Sequence, residues 1–167
     1  MDGITVEAVR TATDEIRGLI AELESGLEGV YLPEQRHGLS VDAIFQPHVR
    51  FFIARLDGVA VGCGGVALFP TFGEVKRMFV RDNMRGRGIA RALLSRIEAE
   101  TKNSGIDILR LETGDRQLAA VRLYERAGFR PCDAFGEYAS MAPRAIATSL
   151  FFEKRLTPAT PYPRATR

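Results

Sequence analysis

Between Val80 and Leu94 the chain reads VRDNMRGRGIARALL, a strand-like segment passing through a glycine-rich turn into a strong helix former. Gly86 and Gly88 alternate with Arg85 and Arg87, and the helix is expected to open at about Ile89. Glycine lacks a Cβ, so backbone N–H groups in such a turn can converge on an anion, and the positive end of the helix macrodipole points the same way. The chemistry open to these residues is to hold a pyrophosphate. Two familiar phosphate loops do not fit. A Walker loop ends in Gly-Lys-Ser/Thr, which does not follow Gly88. A dinucleotide fingerprint needs Gly or Ala three residues after the second glycine, where this chain has Arg91.

Arg85, Gly88 and Ala90 match the pattern Gln/Arg-x-x-Gly-x-Gly/Ala, and in this the chain resembles the acetyl-coenzyme A motif of the GNAT N-acetyltransferases. Upstream, Glu74–Val80 (EVKRMFV) looks like that family's central strand. Downstream, Leu109–Thr113 (LRLET) looks like the next strand, and Ala120–Phe129 (AVRLYERAGF) resembles the helix that ends in the Leu-Tyr-x-x-x-Gly-Phe signature. The run Leu111–Gly114 followed by Gln117, and the later Phe135-Gly136-x-Tyr138, resemble a subgroup of mostly uncharacterised bacterial members. The resemblance implies an α/β (α+β) fold, with a mixed sheet of about six or seven strands flanked by about four helices. Its central strand pair would splay apart to admit the pantetheine arm of acetyl-CoA. Main-chain groups of Met78, Phe79 and Val80 would pair with the pantetheine, and Arg85, Gly86, Arg87, Gly88, Ile89 and Ala90 would cradle the phosphates.

The activity so implied is transfer of an acetyl group to a primary amine of a small molecule, an amino acid or a peptide, by direct attack in a ternary complex. A protein or peptide acetyltransferase and a non-catalytic acyl-CoA-binding module are the alternatives. An alkylamine of pKa about 10.4 must lose a proton before it can attack, which costs about 4.6 kcal/mol at pH 7. A base and a donor for the departing thiolate are therefore required. By the resemblance, Tyr124 is the donor and also touches the cofactor. Glu74 lies four residues before Met78, where some members carry a catalytic glutamate; Glu112 is its rival, and a water chain is a third route. Many members have asparagine seven residues before the tyrosine, whereas this chain has Gln117. Acceptor selection falls to the segments that the motifs do not cover, Ser25–His48 and Phe135–Ala147. Candidate linings there are Tyr31, His37, His48, Phe135 and Tyr138, with Arg36 for a carboxylate-bearing substrate.

Elements of ordinary kind can position these groups. Ile4–Arg10 alternates like an edge strand, and Thr13–Leu23 carries Ile16, Leu19, Ile20 and Leu23 at helical spacing behind a Thr13 cap. Turn residues crowd Ser25–His48, with a short helix expected after Ser40. Arg50–Leu56 and Val59–Leu68 flank Asp57-Gly58, a hairpin signal, and Gly62, Gly64 and Gly65 point to a bulge or close backbone approach. Alternation along the next strand would place Glu74, Lys76, Met78 and Val80 on one face. A helix over Ile89–Lys102 should end at Gly105, and Ser149–Leu156 reads as the closing strand. The reading is one domain over 1–156 and a Pro-containing, mobile tail over 157–167.

The 167 residues carry a net charge of +2, too small to imply nucleic acid. Cys63 and Cys132 form no metal-ligand spacing, so both are expected to be reduced thiols and no metal site is expected. Neither a basic leader nor an apolar run long enough for a membrane is legible, which gives a cytoplasmic expectation. A homodimer is compatible with the family.

Overall fold

The computed structural model describes residues 3–157. Seven strands form one sheet in the order β1-β2-β3-β4-β5-β7-β6, namely β1 (Ile4–Val9), β2 (Val49–Leu56), β3 (Val59–Leu68), β4 (Gly73–Val80), β5 (Ile108–Gly114), β6 (Arg130–Pro131) and β7 (Ser149–Arg155). Neighbours are antiparallel except β4 and β5, which run parallel. The expected mixed, seven-stranded sheet is therefore present.

Three α-helices flank it: α1 (Asp14–Glu28), α2 (Ile89–Asn103) and α3 (Leu118–Arg126). The expected fourth is instead a pair of three-residue 3-10 turns, Pro33–Gln35 and Ala43–Phe45. Thr13 caps α1, its Oγ1 accepting the Ile16 N–H at 3.3 Å, and Asp14 and Glu15 face the positive end of the dipole. The helix runs past the expected end at Leu23 because Leu27 continues the i, i+4 stripe. On α2, Ile89, Leu93, Leu94, Ile97 and Thr101 are buried at helical spacing. The four apolar ones pack with Phe52, Val61, Val66, Leu109 and Leu111 in one core. Ile16, Leu19 and Ile20 of α1 pack with Ile44, Phe51, Ile53 and Cys63 in a second. The expected Asp57-Gly58 hairpin is present, both residues having positive φ, and β3 carries an extra residue opposite Ala54/Arg55.

The feature that shapes the centre is on β4. Gly65 faces Lys76 but Cys63 faces Phe79, so β4 holds one residue more than β3 across this span. The extra residue is Arg77, in left-handed conformation at φ 53°. This bulge overturns the single face expected for Glu74, Lys76, Met78 and Val80. Val75, Met78 and Val80 lie with the α2-side core, while Arg77 reaches α1 and Phe79 joins the α1-side core. A period of two survives only where no residue is inserted.

Arg77 is buried, and its guanidinium ion-pairs with Glu24 of α1 while its Nε donates to the Leu39 carbonyl at 2.8 Å. The side chain thus fastens the 32–48 connection and α1 to the bulge. A Cβ on Gly38 would collide with it. Expected outcome: Arg77→Ala lowers unfolding free energy by about 2 kcal/mol in urea titration and makes 36–48 the first segment cut in limited proteolysis. Cleavage there at the wild-type rate would refute the fastening role.

Candidate active site

After the pairs Gly73–Leu109 and Glu74–Arg110, β4 and β5 part. Each stays paired on its outer side, β4 to β3 as far as Val80 and β5 to β7 as far as Gly114. The inner edge of β4, including the main chain of Met78, Phe79 and Val80, is thereby left without a strand partner. Such an edge is a row of donors and acceptors in search of an extended ligand. The splay expected of the central pair is present.

Beyond Val80 a 3-10 turn over Asp82–Met84 leads to Gly86 at φ 78° and Gly88 at φ 82°. Residues with side chains rarely adopt this backbone, which accounts for glycine at both positions. Within α2 the Ala92 N–H bonds to the Gly88 carbonyl at 3.0 Å, so Ile89, Ala90 and Arg91 stand in the first turn with free N–H groups. The Ile89 side chain is in the core, which leaves its backbone for an anion. Arg85 and Arg87 are exposed, and Arg85 contacts Asp82 at 2.9 Å. The fit to a phosphate chain is good: positive-φ glycines, free amides and arginines at one helix start.

A cleft opens at the splay. Glu74, Lys76 and Met78 of β4, Glu112 of β5, and Gln117 and Tyr124 of the α3 segment all line it. Tyr124 is buried against Phe129, edge to face at 5.7 Å. Burial, with the Glu112 charge second, pushes its phenol well above the ordinary range, so it stays protonated. Glu74 is almost wholly buried, and its Oε2 receives both Lys76 Nζ at 2.7 Å and the Tyr138 hydroxyl at 2.7 Å. Lys76 Nζ also lies 3.1 Å from the Tyr138 hydroxyl, closing a triangle. Burial, then Glu74, raises the Tyr138 phenol far out of reach of ionisation. Glu112 Oε2 accepts from Ser149 Oγ at 2.6 Å, and burial raises its carboxyl above the usual range against the pull of that bond, His37 and Lys76.

The opposite wall comes from the segment that sequence patterning left unassigned. Tyr31 is buried, and its hydroxyl accepts the Arg116 N–H at 2.8 Å just before α3. His37 donates from Nε2 to the Ala145 carbonyl at 2.7 Å and meets the Tyr138 ring edge-on at 5.5 Å. Arg36 lines the same cleft. Two expected linings are elsewhere. His48 packs on Phe69 at 5.6 Å, and Phe135 stands behind Tyr138, its ring 5.3 Å away. Sequence reasoning gave Lys76 and Arg77 no role. The hint for Lys76 was a cation two residues from Glu74 on a strand, and for Arg77 there was none, since its inserted position follows from pairing alone.

Cys63 is buried and its thiol pushed up to about 12 by that burial; Cys132 is raised for the same reason. Both are free cysteines, and among the described residues no group of His, Cys, Asp and Glu could hold a metal ion. No described helix is long and apolar enough to cross a membrane.

Comparison with known proteins agrees with this geometry. The family model for the acetyltransferase (GNAT) family matches residues 16–129. An IAA acetyltransferase of Azospirillum brasilense is 39% identical over 158 residues, covering 93% of this chain and 100% of that protein. An uncharacterised N-acetyltransferase of Bacillus subtilis, YsnE, is 31% identical over 127 residues, 74% of this chain and 81% of its own. Among solved structures, a Klebsiella pneumoniae protein assigned as an acyl-CoA N-acyltransferase superposes with TM-score 0.74 at 33% identity, over 92% of this chain and 98% of that one. The N-acetylglutamate synthase of Neisseria gonorrhoeae, solved with coenzyme A and N-acetyl-glutamate, shares the fold at TM-score 0.70 and 19% identity, over 92% of this chain and 35% of that one.

The raised Glu112 carboxyl has a consequence for stability. The folded state binds this proton more tightly than the unfolded chain, so ionising it opposes folding. That cost is complete above the folded pKa and gone below the ordinary carboxylate range near pH 4. Expected outcome: Glu112→Gln raises Tm by a few degrees at pH 7.5, and the gain vanishes at about pH 4. A lower Tm at pH 7.5 would count against the burial account.

Proposed function

The chain belongs to the acetyltransferase (GNAT) family, and from that premise we propose that it transfers an acetyl group from acetyl-CoA to a primary amine of a small molecule, an amino acid or a peptide, by direct attack in a ternary complex. The observation that carries this reading is the parting of β4 and β5 after Glu74, with the Gly86–Gly88 turn at the end of β4 and Tyr124 lining the gap. Pantetheine is an extended chain with amides, and the open edge at Met78–Val80 offers it the hydrogen bonds of a missing strand. The free N–H groups at the start of α2, with Arg85 and Arg87, take the phosphates. Gln117, at the start of α3, holds the place of the family's asparagine beside the thioester.

The roles follow from how the cleft side chains are already engaged. Glu74 Oε2 is shared by Lys76 and Tyr138, which makes it a poor free acceptor and a good anchor for the wall. Glu112 has one hydrogen bond, from Ser149, and an enhanced affinity for a proton. Glu112 therefore takes the ammonium proton, directly or through water, and the neutral amine attacks the thioester carbonyl. The N–C bond forms, the C–S bond breaks, Tyr124 gives its proton to the sulfur, and the second proton of the attacking nitrogen restores the Tyr124 hydroxyl through water as the amide forms. The two steps assist each other. Once Glu112 is protonated, the charge that raises the Tyr124 phenol disappears, and the phenol becomes a better donor as the thiolate departs.

The test is release of coenzyme A thiol across amines, amino acids and peptides. Expected outcome: Tyr124→Phe lowers kcat at least tenfold while the Kd for acetyl-CoA stays within twofold. Unchanged turnover would remove Tyr124 from the mechanism. For the base, wild-type kcat/KM should climb as pH rises through the Glu112 transition, and Glu112→Gln should flatten that limb and reduce the plateau. If Glu74→Gln flattens it instead, Glu74 is the base. If the limb survives in both variants, neither carboxylate is.

A further inference from the structure

The cleft contains a cation whose charge nothing among the described residues fully answers. Lys76 is committed to Glu74 at 2.7 Å and Arg77 to Glu24. Arg36 has only Glu28 at 3.9 Å from Nη1, beyond hydrogen-bond range and mostly exposed. Among the described residues its Nε is buried and without a hydrogen-bond partner. A buried guanidinium N–H left unpaired is costly, and native proteins rarely retain one without a use. The side chain leaves the chain at the end of the Pro33–Gln35 turn, where proline fixes the backbone and the Gln35 side chain accepts the Leu32 N–H at 3.0 Å. Its base is therefore held in place.

We propose that Arg36 reads a carboxylate on the acceptor, so that the substrate is an amino-carboxylate with an apolar body. With Nε closed off from solvent and Nη1 turned to Glu28, Nη2 is the nitrogen left to donate a charge-assisted hydrogen bond to a carboxylate. The rest of the wall specifies the body. Leu23 and Leu27 of α1 are apolar, and Tyr31 and the His37–Tyr138 pair present aromatic surface. A polyamine has nothing to give the guanidinium and would place a second cation beside it and Lys76. This inference deepens the acetyl-transfer reading and rests on it for the placement of the amine.

The experiment compares phenylalanine, leucine, 3-aminobutanoate and 4-aminobutanoate with their amides and with phenethylamine as acceptors, for the wild type, Arg36→Ala and Arg36→Lys. In the wild type the best acid should exceed its amide at least tenfold in kcat/KM. Arg36→Ala should reduce that ratio ten- to hundredfold, and Arg36→Lys should restore part of it. Acetyl-CoA affinity, measured by calorimetry, shows whether each variant is folded. If amides or simple amines react as well as acids in the wild type, the acetyl-transfer reading stands and the carboxylate inference fails. If no acceptor releases thiol, that reading fails. The inference is then decided by calorimetry with N-acetyl-phenylalanine and its amide in the presence of coenzyme A. Binding of the acid alone, lost in Arg36→Ala, supports it; equal binding, or no binding, overturns it.

Discussion

One inserted residue organises this molecule. With Arg77 in left-handed backbone conformation, β4 gains a residue against β3 and turns away from β5 after a two-residue pairing. An unpaired strand edge in the middle of a sheet is unfavourable for both strands unless each is held from outside. β3 holds one on both sides of the bulge and β7 holds the other along its full length. The side chain of the inserted residue supplies a further hold, crossing to Glu24 of α1 and to the Leu39 carbonyl. The same residue that breaks the pairing thus ties down the connection that walls the cleft. A bulge that opens a binding gap and anchors its rim is a common use of local irregularity.

Inside the gap, electrostatics separates two carboxylates of which the sequence reading favours Glu74. Glu74 is saturated by a lysine and a phenol, whereas Glu112 is half-buried with one hydroxyl for company. Burial without full compensation makes a carboxyl a proton acceptor and makes the fold less stable, and both follow from the same missing solvent. Tyr124 belongs to this system, because its phenol feels the Glu112 charge directly. Phenol and carboxylate are coupled through space with no hydrogen bond between them.

Much of the scaffold was legible in the chain. The Asp57-Gly58 hairpin, the apolar stripe of α2 and the glycines before it depend on nearest neighbours along the sequence, which period and turn chemistry report. The helix that carries Tyr124 was legible because its motif is local. The face of Met78 was misread because a bulge shifts the period and depends on β3, not on the sequence of β4. The short helix expected after Ser40 is a three-residue 3-10 turn, Ala43–Phe45, because no apolar stripe there is longer than the turn around Ile44. The Glu74–Lys76–Tyr138 triangle could not be found, since Tyr138 lies 64 residues from its partner and only the fold brings them together.

Tyr31 leads to a consequence of another kind. Its hydroxyl takes the Arg116 N–H, and its ring lies so close to Gly114 that a Cβ there could not be accommodated. One side chain from the cleft wall therefore also holds the turn from which α3, with Gln117 and Tyr124, begins. Two ligands that order opposite sides of such a shared element are heterotropic partners, and thermodynamics makes their influence mutual. A ligand that stiffens the start of α3 and one that orders the opposite wall would then each tighten the other by one and the same factor, with no lid required.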